Sequence, residues 1–164
     1  MRVTSRWWLV VFAAALFAVT TSAQPQAHYR TGAGGVLLPD PNATPGATFQ
    51  VTAKQVCTKG YAQKVRNVPE AIKKQVYTLY GAKKKQGVCC EVDHLISLEL
   101  GGSNDMTNLW PQPYQAKPGA YEKDILENFL HRAVCGGAMT LEEAQQKIAT
   151  DWYKAYQEMK GNTP

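Results

Sequence analysis

The sequence predicts a small α+β protein that disulfide bonds stabilise. An apolar stretch rich in β-branched residues, at 88–100, is followed by turn residues, which is typical of a strand that enters a hairpin. Segments before and after this stretch repeat apolar residues at helical spacing, so helices should flank the hairpin. The chain also contains 4 cysteines, and an even number is typical of a disulfide-bonded exported protein.

The first 23 residues are interpreted as an export signal and not as part of the fold. Arg2 and Arg6 provide a positive start, an apolar run covers residues 7–19, and the small residues of "TSA" end at Ala23. A membrane anchor is the alternative, but the run is shorter than the roughly 20 residues that a spanning helix needs. We therefore expect cleavage after Ala23 and an exported, soluble product, secreted or periplasmic.

The segment after the signal is predicted to be an N-terminal arm. Residues 24–50 are rich in Pro, Gly, Ala and Thr and show little periodicity, which favours a flexible or extended conformation. We expect a single ordered domain over residues 51–164, with its core motif at 89–131.

The cysteines are Cys57, Cys89, Cys90 and Cys135. Two disulfides are expected, and three pairings are possible. Adjacent residues of a strand point to opposite faces, so Cys89 and Cys90 should each reach a different partner, Cys57 or Cys135. A four-cysteine zinc site is the alternative, although the C-x-x-C pairs that are usual in such sites are missing.

The predicted order of elements is helix, β-hairpin, helix, helix. The first helix should cover residues 69–81, because proline suits a first helical turn and glycine a C-terminal end. The hairpin consists of the strand at 88–100, a turn in "GGSND", and a short strand at 108–110 that the prolines after it stop.

Two further helices follow the hairpin. One begins after Pro118-Gly119 and ends near Cys135. Its predicted apolar stripe is Tyr121, Ile125, Leu126, Phe129, Leu130 and Ala133. The last helix begins with Thr140 as N-cap and Glu143 as its capping-box partner. Its predicted buried face is Leu141, Ala144, Ile148, Trp152 and Tyr156.

Positive charge is concentrated in residues 54–85, where Glu70 is the one acid. The basic residues are Lys54, Lys59, Lys64, Arg66, Lys73, Lys74, Lys83, Lys84 and Lys85. A solvated helix face is one interpretation, and a surface for a polyanion such as nucleic acid is the other. Charge by itself does not separate the two.

Asp93 and His94 stand side by side within the apolar strand. Burial of such groups is costly unless they are paired, hydrogen-bonded or liganded. Singly, they could be an acid paired with a lysine and a satisfied core histidine. Together with Asn108 on the returning strand and the helix that follows, they indicate a chemical site.

This layout resembles the HNH endonucleases, in which a strand with Asp-His, a loop, an Asn and a helix across the hairpin form a ββα-metal site. The resemblance covers residues 91–131 and rests on "EVDHLISLELGGSNDMTNLWPQPY" and "KDILENFLH", which look like the exported, cysteine-containing branch of the family. It implies an α+β fold whose small hairpin-plus-helix core carries additional flanking helices.

The resemblance also implies roles for individual residues. His94 would be the general base that activates water, and Asn108 would orient its ring through the amide or the backbone. Asp93 would bind a divalent ion that stabilises the phosphate and the leaving oxygen. Mg²⁺ or Mn²⁺ is favoured, with Zn²⁺ as an alternative.

The second metal ligand departs from the family pattern. The family usually offers a His or Asn near the start of the helix, where this chain reads "GAYEKDILEN". Asp124 is the expected ligand, and its rivals are Glu122, Glu127 and Asn128. Glu91 would either support the metal or pair with the basic segment, and His131 is expected to be structural.

The predicted function is therefore a secreted metal-dependent endonuclease of low sequence specificity. Lys83, Lys84, Lys85 and Lys123 would contact the phosphate backbone of DNA, with RNA as a further substrate, and such contacts carry no base information. The mature form is expected to be a monomer without membrane contact. The alternatives are an inactive secreted module that binds nucleic acid or another polyanion, and a basic protein that binds acidic polysaccharide or a partner protein.

Overall fold

The computed structural model describes residues 28–82, 90–113 and 116–161, so the predicted cleavage site lies outside the described residues. Its helices and strands, in chain order, are β1 (Tyr29–Thr31), β2 (Leu37–Pro39), α1 (Ala53–Val56), α2 (Tyr61–Val65), α3 (Glu70–Leu79), β3 (Cys90–His94), β4 (Leu109–Pro113), α4 (Ala120–Cys135) and α5 (Leu141–Gly161). Two separate two-stranded sheets, β1–β2 and β3–β4, lie among these helices. The α+β class is confirmed.

The N-terminal segment is folded, so the prediction of an arm over 24–50 is wrong for residues 28–50. β1 and β2 form an antiparallel hairpin, and Leu38 is buried in the main core. The backbone amide of Ala33, in the hairpin turn, donates to Asp151 Oδ2 at 3.1 Å and ties the turn to α5. Strands of three residues are too short to give a readable alternation of polar and apolar residues.

The second hairpin is shorter on β3 and longer on β4 than predicted. β3 ends at His94, and residues 98–100 form a 3₁₀ turn instead of extending the strand. β4 runs through Pro111 and Pro113, which face Val92 and Cys90 across the sheet. Prolines cannot donate to the ladder, but they are tolerated at the positions that do not exchange hydrogen bonds with the neighbouring strand.

The buried face of helix α4 overlaps only in part with the predicted stripe. Its buried side chains are Lys123, Leu126, Leu130 and Val134. Tyr121 and Phe129, by contrast, are 73% and 38% exposed. The helix begins and ends close to the predicted residues, so its location is confirmed, and so is the burial of Leu126 and Leu130. A lysine occupies the buried stripe, and hydrophobicity could not predict that.

The predictions for α3 and α5 are confirmed in their main points. α3 lies within the predicted segment 69–81. At the start of α5, the Thr140 amide donates to Glu143 Oε2 at 2.8 Å, and the Glu143 amide donates to Thr140 Oγ1 at 3.1 Å, which forms the capping box. The helix is broken at Asp151, whose backbone leaves the helical region.

Two apolar clusters hold these elements together. The larger one joins the N-terminal hairpin, α1, α4 and α5, and includes Leu38, Val56, Leu126, Leu130, Ile148 and Trp152. The smaller one joins α3 to the β3–β4 hairpin, and includes Val76, Tyr80, Leu95, Leu109 and Trp110. The hairpin therefore has α3 on one side and α4 on the other. Within the described part of the chain, no helix is long and apolar enough to cross a membrane.

A disulfide links the end of α1 to the end of α4. Cys57 and Cys135 are bonded to each other, with Cα atoms 5.6 Å apart. The expectation that Cys89 and Cys90 would reach these two residues is therefore wrong. The alternation of side chains along a strand predicts the directions of Cys89 and Cys90, but it says nothing of the packing of α1 against α4, which brings Cys57 and Cys135 together. A disulfide is typical of proteins in an oxidising compartment.

The bridge closes a long loop, with a sequence separation of 78 residues. We predict that the double variant Cys57→Ser/Cys135→Ser lowers the free energy of unfolding by about 2–5 kcal/mol, because the unlinked chain gains entropy when it unfolds. Urea unfolding followed by circular dichroism measures this. Thr58→Ser, next to the bridge, is the control and should be neutral. A loss below about 1 kcal/mol would contradict the expected contribution.

Candidate active site

The end of β3 presents Asp93 and His94 on opposite sides of the hairpin. Asp93 faces Trp110 and His94 faces Leu109 across the sheet. His94 is 4% exposed, whereas the Asp93 side chain keeps 31% of its surface exposed. The two neighbours therefore occupy different environments, a nearly buried imidazole and a half-buried carboxylate.

The ring of His94 is oriented by Asn104. The side-chain amide of Asn108, which was one of the two expected contacts, does not orient it. His94 Nε2 lies 3.1 Å from Asn104 Oδ1. The amide nitrogen of Asn104 donates to the Val65 carbonyl at 2.8 Å, so Oδ1 is the atom that faces the ring and can only accept. His94 therefore carries its proton on Nε2 in the neutral form and keeps a lone pair on Nδ1.

The surroundings of His94 favour this neutral form. Burial lowers the pKa of His94 below its usual 6.5, and the positive charges of Arg66 and Lys123 lower it further. The hydrogen bond that His94 donates to Asn104 and the negative charge of Asp93 oppose this shift without cancelling it. A neutral imidazole at neutral pH is a base, not an acid.

Asn108 holds the loop between the two strands. It is fully buried, its Oδ1 accepts from the Ile96 amide at 2.9 Å, and its Nδ2 donates to the carbonyls of Ile96 and Ser103 at 3.0 and 2.9 Å. The Asn108 carbonyl accepts from the Leu95 amide at 2.8 Å. Gly102 fits beneath this arrangement because a Cβ there would lie 1.8 Å from the Ile96 carbonyl oxygen.

Lys123 is the buried centre of the site, so its predicted contact with phosphate is wrong. The residue is 1% exposed, and its Nζ donates to Asp93 Oδ2 at 2.8 Å and to the His94 carbonyl at 2.7 Å. It also forms an ion pair with Glu127 one helical turn later. Burial alone would lower the pKa of Lys123, but the charges and hydrogen bonds of Asp93 and Glu127 raise it above its usual range.

Asp93 Oδ2 is held by a second donor. In the carboxamide orientation that satisfies both of its groups, Gln112 donates to Asp93 Oδ2 at 2.7 Å and accepts from the Ala120 amide at 3.1 Å. The carboxylate of Asp93 is thus fixed by one residue of β4 and one of α4. With Oδ2 taken by these donors, Oδ1 is the oxygen that can serve a ligand.

Of the four predicted second ligands, Asp124 fits best. Glu127 is buried against Lys123, Glu122 accepts from the Gly119 amide at 2.7 Å, and Asn128 donates to the Asp124 carbonyl at 2.8 Å. The Asp124 carboxylate is exposed, and partial burial and the negative charge of Asp93 raise its pKa.

Glu91 lies in the same negative field. Burial raises its pKa, and the charges of Asp93 and Asp124 raise it further. Three carboxylates therefore repel one another beside the end of β3. Within 28–82, 90–113 and 116–161, however, the one group of three or more His, Cys, Asp or Glu with ligand atoms mutually within 4.8 Å is elsewhere, at Cys57, His131 and Cys135.

The basic segment is only partly described. Lys83, Lys84 and Lys85 lie outside the described residues. Lys73 pairs with Glu70 at 2.7 Å. The other described bases, Lys54, Lys59, Lys64, Arg66 and Lys74, are exposed. Arg66 follows Val65, whose carbonyl holds Asn104, so this base lies on the side of the molecule that faces His94.

Two residues of the site were missed by the sequence analysis. Asn104 was interpreted only as part of a turn, and Arg66 only as one of many bases. An Asn inside the loop that follows Asp-His was the available signal for Asn104. Nothing in the sequence singles out Arg66. Comparisons with protein-family models, with curated proteins and with solved structures found no match to the chain.

Removal of the buried cation should strongly destabilise the fold. We predict that Lys123→Met lowers the free energy of unfolding by about 3–5 kcal/mol, because the largely buried Glu127 and the half-buried Asp93 lose their shared partner. Chemical unfolding of the purified variant is the measurement. Lys154→Met, an exposed lysine of α5, is the control and should change stability by less than about 0.5 kcal/mol. Equal stabilities of the two variants would contradict the proposed importance of this ion pair.

Proposed function

We propose that this protein is an exported metal-dependent endonuclease of the HNH type, which hydrolyses phosphodiester bonds in nucleic acid. The observation that carries the proposal is the state of His94. Its Nε2 proton is directed to Asn104, its pKa is lowered, and the acids Glu91 and Asp93 precede it on the same strand.

The general base in this proposal is Nδ1 of His94. Hydrolysis of a phosphodiester requires a water molecule that loses a proton as it attacks phosphorus. The lone pair on Nδ1 would accept that proton, and the Nε2–H···Asn104 hydrogen bond would hold the ring in place while its charge develops. Because Asn104 is anchored on the Val65 carbonyl, the ring cannot turn without breaking its hydrogen bond to Asn104 or pulling Asn104 away from that carbonyl.

The carboxylates fit a divalent ion. Asp93 and Asp124 would hold it, with Glu91 nearby, and oxygen donors of this kind suit Mg²⁺ or Mn²⁺. Burial raises the pKa values of Glu91 and Asp124, and the negative charge of Asp93 raises them further, a repulsion that a bound cation would relieve. Such an ion supplies charge stabilisation to the phosphate and the leaving oxygen. Lys123 and Gln112 would fix the Asp93 carboxylate in the orientation that leaves Oδ1 free.

The exposed bases of the α1–α2 region would bind the phosphate backbone. Lys59 and Lys64 line one cavity of about 290 Å³ on α2, and Arg66 follows at the end of that helix, towards His94. The proposed contact of phosphate with Lys83, Lys84 and Lys85 rests on the sequence alone, because these lysines lie outside the described residues. Contacts to phosphate position a strand without reading its bases, so low sequence specificity is expected.

A binding module without catalysis is the second candidate. The observation in its favour is Lys123, whose ammonium already neutralises part of the charge on Asp93, the proposed metal ligand. In that case nucleic acid would bind to the exposed bases and would not be cut. Incubation of supercoiled plasmid with the mature protein and Mg²⁺, Mn²⁺, Zn²⁺ or EDTA separates the two functions, because only an endonuclease produces nicked and linear DNA.

Loss of the base should abolish cleavage but not folding. We predict that His94→Gln lowers the rate of plasmid cleavage by about 10²–10⁴-fold, which is the usual contribution of a general base. Glutamine can still donate a hydrogen bond to Asn104, so the site keeps its shape. His28→Gln is the matched control, and its rate should equal that of the unchanged protein. Cleavage by His94→Gln within about 3-fold of the control would remove His94 from the mechanism.

The pH dependence of cleavage should report the lowered pKa of His94. The neutral ring is lost as pH falls through its pKa, so we predict that kcat/KM falls to half its plateau below pH 6.5. Arg66→Ala removes a positive charge that lowers this pKa and should move the midpoint to higher pH, whereas Lys74→Ala should leave it unchanged. A midpoint that does not move in Arg66→Ala would show that this charge does not act on the base.

A further inference from the structure

A second cluster of chemically reactive groups lies away from His94. Cys57, which is bonded to Cys135, lines a cavity of about 390 Å³ between the α1–α2 segment and α4. His131 and Glu99 line the same cavity. The activity proposed above uses none of these groups.

The sulfurs and the imidazole are close enough to share one ion. The ligand atoms of Cys57, His131 and Cys135 all lie within 4.8 Å of one another. His131 and Cys135 are four residues apart on α4, with Nε2 3.4 Å from Sγ, so the helix itself sets their spacing. Two thiolates and one imidazole are ligands that Zn²⁺ prefers.

The other side of the imidazole faces a carboxylate. His131 Nδ1 lies 4.0 Å from Glu99 Oε2. A histidine that binds zinc through one nitrogen commonly directs its other N–H to such a group, which fixes the ring and increases its basicity. In the present oxidised state Nε2 lies 3.2 Å from the Val56 carbonyl, so zinc binding requires the ring proton to move to Nδ1, towards Glu99.

The same cavity has room for a fourth ligand. Its volume is about 390 Å³, which exceeds the space that one water molecule needs, and Tyr61 is among its lining residues. The Tyr61 hydroxyl is itself buried and, within the described residues, makes no hydrogen bond. A water molecule in the cavity can therefore serve as a fourth, non-protein ligand of a zinc ion.

We propose that the reduced protein binds one Zn²⁺ through the thiolates of Cys57 and Cys135 and Nε2 of His131. An external dithiol would supply two electrons and two protons to the disulfide and would leave as its own cyclic disulfide. Zn²⁺ would then displace both thiol protons, and water in the cavity would complete the tetrahedron. Zinc would keep α1 joined to α4 under reducing conditions, as the disulfide does under oxidising conditions.

The test uses Co²⁺ as a spectroscopic probe for the zinc site. The full mature chain is reduced with a phosphine, freed of reductant under nitrogen and titrated with Co²⁺. We expect thiolate-to-cobalt charge-transfer absorption that saturates at one equivalent of thiolate-bound Co²⁺ and that Zn²⁺ abolishes by displacement. The oxidised protein should show no such absorption. A reduced protein that also shows no thiolate-to-cobalt absorption would overturn the proposal.

Variants identify the ligands. Cys57→Ser should lose the thiolate absorption, because it removes a proposed ligand while Cys89 and Cys90 remain. If the absorption persisted in this variant, the ion would be bound by other thiols and the proposed site would be wrong. Glu99→Gln should weaken binding by about 10–100-fold, as is usual for a residue that orients a zinc-bound histidine. His131→Asn should weaken binding at least as much, whereas His28→Asn should bind Co²⁺ like the unchanged protein.

Thermal unfolding provides a readout that does not depend on colour. Zn²⁺ should raise the Tm of the reduced protein by more than that of the oxidised protein, because only the reduced form offers thiolates in addition to the carboxylates near Asp93. If the reduced chain is unfolded without metal, Zn²⁺ should restore its helical circular dichroism. A reduced chain that neither gains Tm nor refolds with Zn²⁺ would overturn the proposal.

Discussion

The buried ammonium of Lys123 is the interaction on which the rest of the site depends. The Lys123 side chain extends from α4 to the end of β3, where its ammonium donates to Asp93 and to the His94 carbonyl. It also pairs with Glu127 on its own helix. Burial of a charge is costly unless opposite charges and hydrogen bonds compensate it, and here three oxygens surround one nitrogen. The same contacts set the distance between helix and hairpin and the orientation of the Asp93 carboxylate.

Two asparagines in the segment between the strands have different roles: one holds the backbone of the loop and the other holds the His94 ring. Asn108 uses both ends of its amide on the backbone of that loop, so it determines the path of the chain and cannot also orient His94. Asn104 connects the His94 ring to the Val65 carbonyl and thereby determines which ring nitrogen carries the proton. The acid–base state of His94 thus depends on α2, a helix that precedes it by about 30 residues.

Local features of the fold could be predicted from the sequence. The bounds of α3, the capping box at Thr140 and the position of α4 depend on residues within one or two helical turns, so their signals lie close together in the chain. Asp93 and His94 are close together simply because they are consecutive in the chain. The N-terminal hairpin was missed because its strands are short and because its stability comes from contacts with α5, far along the chain.

The sequence by itself determined the α+β class, the order of the main elements and the pair at the end of β3, because backbone propensity and spacing act locally. The tertiary structure decided which groups surround that pair. A lysine on a helix is expected to be solvated, yet Lys123 is buried because the hairpin places the Asp93 carboxylate and the His94 carbonyl next to its ammonium. The partner of Cys57 and the ring contact of His94 were likewise decided by elements that meet only after folding. Such contacts depend on the packing of distant segments, which residue spacing does not encode.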